Sequence, residues 1–502
     1  MWDLNPARKV AVLERDFTKI LVTIRSAMNE TVPINRLPPE ILGRVLEFRE
    51  DDRDLISATH VCNRWRSALT SAPPLWTKVV FRDSNRVLAY LTRSGGLPID
   101  VSFIPTRVSF EAWKFDPEDL YTSRIPWFDR VKSMVVGGDE EQIEAILRRL
   151  CLPTPLLQSL KFDGRPNRSL MLQRTPGAVR FPRGFLGSQA PLLRSLSLGS
   201  ISPVSVIKLP LTNLTSLTWT DKDSKATVKG LLSLLGSAPL LELLTLHLRI
   251  PSVSTAERAT TVALNKLREL TWSNSGGTFS LTSCLITPEL HWLSLRLIPD
   301  PQAQQTDLAS ILPPHEGHFP LLTEPTEVRY TTRGGTRSCQ FHSATGYVSI
   351  IAPTGNYEIY TPWFLRTAAI PFKQIKQMTI EVDYPPLGEF PAEQFESLET
   401  LELVDGGNDY FKLIKPYFHK LSNTQVIPFP ALLEIQITID SNIPPARLVE
   451  LLMQRKQMGY GVKTVKIRGE CEEATDGVVA GIRESVDEVV LQLTHKIGCT
   501  GH

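Results

Sequence analysis

The chain has 502 residues, with 55 Lys and Arg against 53 Asp and Glu and a formal net charge of +2. So even a balance excludes the global basic field that holds a polyanion or an anionic bilayer, and neither nucleic acid nor membrane is an expected partner. Apolar residues at 42 % and charged residues at 22 % give a globular composition, and 38 prolines predict many short elements between fixed turns.

Length predicts two to four domains or one extended repeat array. The six cysteines, at 62, 151, 284, 339, 471 and 499, show none of the close paired spacing that a thiolate metal site needs, and read as free thiols of a reducing compartment. Arg15 and Asp16 interrupt the first apolar stretch too early for a secretory core. No run approaches the roughly 18 apolar residues that span a bilayer. The expected location is cytoplasmic, nuclear or both.

In chain order, residues 1–32 form an N-terminal segment with one amphipathic helix over 7–28. Its apolar positions Val10, Leu13, Phe17, Ile20, Leu21, Ile24 and Met28 follow steps of three and four. The expectation is that this face packs on the following domain, with a coiled-coil partner as the alternative. Residues 33–81 form a helical hairpin. Pro38 and Pro39 preset a first helical turn, and Glu40 sits where the helix dipole favours an anion. Ile41, Leu42, Val45 and Leu46 make one stripe, and Arg49 to Asp52 break the pattern. A second helix is expected to carry the seam Leu55, Ala58, Cys62, Trp65 and Leu69. Pro73 and Pro74 end it, and Leu75 and Trp76 lead into a strand beginning at Lys78.

Leu37-Pro38-Pro39-Glu40-Ile41-Leu42, then Val61-Cys62-x-x-Trp65-Arg66, then Pro74-Leu75-Trp76 resemble the F-box motif in all three recurring segments and in their order. More loosely, the whole layout is similar to fungal F-box proteins with irregular leucine-rich C-terminal regions. The resemblance implies binding to the Skp-type adaptor of a cullin-RING ubiquitin ligase. The residues that would meet the adaptor are Leu37, Pro38, Glu40, Ile41, Leu42, Val45, Leu46, Cys62, Trp65 and Trp76.

From residue 82 onward an apolar-x-x-apolar-x-apolar pattern recurs, as in Leu193/Leu196/Leu198, Leu241/Leu244/Leu246 and Leu398/Leu401/Leu403. The central residues Leu217, Leu244, Leu270 and Leu293 follow one another at 27, 26 and 23 residues, a leucine-rich-repeat period. The expected fold class is α/β: the N-terminal F-box-like helical hairpin followed by an irregular leucine-rich-repeat solenoid of parallel strands and helices. Helical pieces are expected at 229–235 and 446–453. The repeats divide into a first block, 82–298, and a second, 371–502, separated by a Pro-rich insertion with hairpins over 299–370. Strands are predicted there at 327–332, 338–342 and 347–351. The Asn or Cys that usually follows each repeat strand is missing, which leaves open two packed α/β blocks divided near 299–325.

Strand alternation turns Thr245, His247, Arg249, Thr271, Ser273, Ser294, Arg296 and Glu402 away from the core, as a polar strip that would read a client protein. No phosphate-binding or serine-elbow motif occurs. His315-x-x-His318 lies in a Pro-rich loop with Glu316 as the only other candidate ligand and no nearby Cys, and the three-residue spacing of Cys339 and His342 does not indicate the orientation of a catalytic pair. No metal, cofactor or catalytic residue is expected. The leading reading is a non-catalytic client receptor of a ubiquitin ligase, partnered by adaptor, cullin scaffold and an unknown client. The alternatives are a repeat scaffold whose hairpin is only the solenoid's cap, or an enzyme whose site the sequence does not reveal.

Overall fold

The computed structural model describes residues 6–48, 52–81, 84–103, 127–164, 181–182, 185–188, 190–199, 211–221, 227–248, 261–274, 282, 284–297, 324–333, 336–353, 372–382, 395–405, 429–440, 445–470 and 476–493. The chain forms two compact units, Met1–Gln173 with Phe181–Leu193, and Arg174–Arg180 with Arg194–His502.

In the first unit, helix α1 (Pro6–Thr31) leads into the hairpin of α2 (Pro39–Glu47), α3 (Asp52–Thr59) and α4 (Asn63–Thr70). Pro39 opens α2 where a missing N–H costs nothing, and Glu40 lies in its first turn. The single second helix expected from the sequence is two helices. After α3 the backbone tightens, with His60 N–H donating to Ser57 O at 3.0 Å and Val61 N–H to Ala58 O at 3.2 Å. Cys62 is then extended, at φ −159°, before α4 begins. The apolar seam survives this break because Leu55, Ala58 and Leu69 are all buried.

Trp76 closes the hairpin. It is 1 % exposed, its indole N–H donates to Leu69 O at 2.8 Å, and its ring meets Tyr90 edge-on at 4.9 Å. Tyr90 belongs to α5 (Ser84–Arg93), which also buries Val87 and Leu91. Four parallel strands follow: β1 (Lys78–Val80), β2 (Ile99–Phe103), β3 (Val131–Gly138) and β4 (Ser159–Gly164). Helix α6 (Glu140–Arg149) sits between the last two and starts on a capping box, in which Asp139 accepts from Gln142 N–H at 2.9 Å and Gln142 returns the bond at 3.0 Å.

The second unit is built on one long sheet. Its strands are β5 (Ser195–Leu198), β6 (Ser216–Asp221), β7 (Leu243–Leu248), β9 (Glu269–Asn274), β11 (Trp292–Leu297), β12 (Glu327–Arg333), β13 (Thr336–Ser343), β14 (Gly346–Pro353), β15 (Gln377–Val382), β16 (Thr400–Asp405), β17 (Glu434–Asp440), β18 (Thr464–Glu470) and β19 (Glu488–Leu493). The short β8 (Val262–Ala263) and β10 (Leu285–Ile286) pair separately. Neighbours follow chain order and run parallel, except that β11 pairs with β14, β14 with β13, β13 with β12 and β12 with β15. Only β13 is antiparallel to its neighbours in this sheet among the described residues.

The three strands predicted over 327–351 are therefore part of the sheet itself. They enter it between two repeats, which carries the pairing past the Pro-rich segment, so no division of the sheet falls near 299–325. One register of buried residues crosses this insertion: Leu244 faces Leu270, Leu270 faces Leu293, Leu293 faces Val348, Val348 faces Phe341, Phe341 faces Val328 and Val328 faces Met378. Each is at most 2 % exposed, and burying such a side chain contributes about 1.5–3 kcal/mol.

Two of the expected helical pieces appear as α7 (Val228–Gly236) and α8 (Pro445–Gln457), and α9 (Asp476–Ser485) precedes the last strand. Elsewhere the strands begin from a common turn. In several of these repeats the N–H of the first apolar residue donates to the carbonyl three residues back: Leu214 to Leu211, Leu241 to Ala238, Leu267 to Leu264, Leu290 to Thr287, Leu398 to Phe395 and Leu432 to Phe429, at 3.0–3.4 Å. Backbone groups are satisfied by backbone at this point. Of the positions that lack Asn, Asp440 is described and the others lie outside the described residues. Arg455 of α8 is fully buried and donates to Phe429 O at 2.8 Å and Tyr460 O at 3.2 Å. Burial pulls its guanidinium down to about 10.

Candidate functional site: an exposed apolar stripe and a polar sheet face

Helix α2 divides its apolar residues between a buried and an exposed side. Leu42 is 1 % exposed and turned into the hairpin, whereas Ile41 is 45 % exposed, Val45 54 % and Phe48 85 %. Positions 41, 45 and 48 are spaced by four and three, so these side chains stand above one another on the outer face. Val61, at the turn between α3 and α4, is exposed as well. A hairpin this small has too little interior for all its large side chains, and the stripe is left as exposed apolar surface.

The remaining sequence-predicted contacts fall around it. Pro38 and Glu40 are exposed; Leu37, Leu46, Cys62 and Trp65 are half-buried; Trp76 lies with Leu42 in the hairpin's own core. Trp65 is anchored through its polar handle. Its indole N–H donates to Asn35 Oδ1, and Asn35 in turn donates to Asn29 O at 2.7 Å near the end of α1. Arg64 donates to Leu37 O at 2.8 Å, fixing the segment before α2 against α4. These bonds hold the stripe on a rigid base. Phe48 was missed by the sequence reading, although its place seven residues after Ile41 continues the stripe.

The sheet of the second unit gathers the predicted client-facing residues into rows. Thr245, Thr271 and Ser294 are consecutive cross-strand neighbours, and the row continues through Ser349, Gln340, Arg329 and Thr379 to Glu402. Thr379 donates to Glu402 at 3.0 Å. His247, Ser273 and Arg296 form the next row, in which Arg296 is exposed and Ser273 is buried. Arg249 lies outside the described residues.

A third row, one step toward the strand starts, was not singled out from the sequence. Glu269 faces Trp292, Trp292 faces Tyr347, Tyr347 faces His342 and His342 faces Glu327. Trp292 is 44 % exposed and its ring lies 4.2 Å from that of Tyr347, which lies 4.8 Å from His342. The signal was present: Trp292 alternates with the buried Leu293, so it points outward.

Cys339 and His342 stand on opposite faces of β13, the thiol buried and its pKa pushed up by burial. His315 and His318 lie outside the described residues, and among the described residues no group of three or more His, Cys, Asp or Glu could hold a metal ion. No helix among them is long and apolar enough to cross a membrane.

Comparison with known proteins agrees with the hairpin. No curated protein matches the chain. Among solved structures, a crystal structure of a Bacteroides fragilis protein aligns over 81 % of each chain at 9 % identity, with a TM-score of 0.17 that carries no argument. Residues 34–82 match the F-box-like family. The same segment carries the three motif pieces, the closed α2–α4 hairpin and the outward stripe, and it is an F-box-like domain.

Proposed function

We propose that the chain is the client-recognition subunit of a cullin-RING (SCF-type) ubiquitin ligase. The F-box-like domain docks on a Skp-type adaptor through Ile41, Val45 and Phe48, with Pro38, Leu37 and Leu46 at the margin. The observation that carries this reading is the exposure of that stripe on a hairpin that buries Leu42, Leu55, Leu69, Leu75 and Trp76. The cap reading accounts for it less well, since a cap's apolar face lies against its own first repeat. Bond-making then belongs to partners. The receptor acts by proximity, raising the effective concentration of client lysines near activated ubiquitin.

Client recognition is assigned to the outward sheet face of the second unit, where hydroxyls, charges of both signs and an exposed Trp292 offer polar complementarity around an aromatic anchor. Co-expression with a Skp-type adaptor tests the first half: the parent chain should co-purify with it, and Ile41→Asp with Val45→Asp should not while keeping the parent's melting temperature. Retained adaptor binding in that variant overturns the assignment. For the second half, Trp292→Ala should reduce client capture in proximity labelling under proteasome inhibition and leave adaptor binding intact.

A further inference from the structure

Helix α1 was expected to lie against the next domain, yet every described side chain from Ala7 to Thr31 is exposed except Asn29, which is half-buried. Seven large apolar residues fall within one 100° arc of its surface at 100° per residue: Val10, Leu13, Phe17, Ile20, Leu21, Ile24 and Met28, each 51–65 % exposed. Little else supports the helix. It has no acidic residue in its first turn and no basic residue in its last to offset the dipole. Thr18 and Thr23 turn their hydroxyls back on Glu14 O and Lys19 O at 2.7 and 3.0 Å, a bond that weakens helices slightly. An amphipathic helix draws most of its stability from packing its apolar face, so this one needs a cover.

We propose that the cover is the α1 of a second copy of this chain, in an antiparallel two-fold pair. The first reason is self-complementarity. Val10, Leu13, Phe17, Ile20, Ile24 and Ala27 repeat at steps of three and four, the a and d positions of a two-stranded seam. Run antiparallel, Phe17 meets Ile20 of the second copy, Leu13 meets Ile24 and the bulky Val10 meets the small Ala27. The same register sets Lys9 opposite Glu30 and Asp16 opposite the uncharged Thr23, and two-fold symmetry makes each contact twice. No like charges face each other across these flanking positions.

The second reason is area. At about 100 Å² covered for each of the seven, below the 150–250 Å² that a buried aromatic side chain contributes, the pair covers about 1,400 Å², within the 1,200–2,000 Å² of a stable specific interface. An anionic membrane fits less well. The polar side carries five basic residues against Glu14, Asp16 and Glu30, a net of only +2, and Asp16 lies 3.6 Å from Lys19, whereas an interfacial helix presents a polar face rich in Lys and Arg. The seam shares no residue with the α2 stripe.

Sedimentation and light scattering of the full chain, a 56.2 kDa protomer, test the proposal at micromolar concentration. The parent should run as a dimer and Phe17→Asp as a monomer with unchanged adaptor co-purification. Lys9→Glu should raise the dimer dissociation constant about tenfold, and adding Glu30→Lys should restore it. This charge reversal keeps the test decisive even if Phe17→Asp folds poorly. A monomeric parent overturns the proposal, whether α1 then stays free or carries the chain onto phosphatidylserine vesicles. A dimer indifferent to both Phe17→Asp and the charge reversal overturns it equally.

Discussion

Ile41 and Leu244 are both aliphatic residues placed by a regular apolar period, but one is 45 % exposed and the other 1 %. The difference lies in their neighbours. Leu244 sits on a strand flanked by Leu217 on one side and Leu270 on the other, so each strand covers the next with its own copy of the pattern. Ile41 sits on a helix of a closed hairpin whose interior is already taken by Leu42, Leu55, Leu69, Leu75 and Trp76. A repeat array supplies its own cover, whereas a small helical module runs out of interior and leaves apolar surface for another chain.

The largest expected effect is in the array. Leu244→Ala should cost about 2–5 kcal/mol, since two fixed strands prevent the cavity from collapsing. Urea unfolding should show an earlier midpoint, and a loss below about 1 kcal/mol would mean that the row does not act as a continuous core. On the hairpin the same kind of change should leave folding alone and act on binding. Ile41→Ala should weaken adaptor binding by about 2 kcal/mol if it is a central anchor, measured by titration calorimetry, with thermal unfolding unchanged. Leu42→Ala, one residue later, should do the reverse.

A smaller loss separates anchoring from docking within the hairpin. Asn35→Ala removes the acceptor of the Trp65 indole and the donor to Asn29 O, and should cost about 1–3 kcal/mol of stability, read as a lower melting temperature. The smallest effect returns to the array. Burial holds the Cys339 thiol above its ordinary value, so the folded state keeps a proton that the unfolded state begins to release near pH 8.5. More protons are then bound folded than unfolded, and stability falls as pH rises. The contribution of Cys339 should drop by about 1 kcal/mol or less between pH 8 and 9, a slope that Cys339→Val removes. At pH 8 the exposed Cys151 should be alkylated well before Cys339.

Much of this architecture was readable from residues. The repeat pattern marked buried positions such as Leu196, Leu293, Leu401 and Val465, all of which lie in strands, and the three motif segments marked the F-box-like hairpin. The strip Thr245, Thr271 and Ser294 followed from alternation alone. Phe48 and Trp292 escaped because a search for buried patterns passes over apolar residues that face outward. The break at Cys62 escaped because the seam keeps its spacing across it.

Sequence periodicity by itself settled which face each helix or strand makes apolar, because a side chain's direction is fixed by local backbone geometry. Whether that face is covered depends on which elements meet across long stretches of chain. Only the tertiary structure decided that α1 and the outer side of α2 stay open, and that β12 to β14 join the sheet between two repeats. Local periods carry no information about such encounters, since they are set by the competition of all apolar faces for a limited interior.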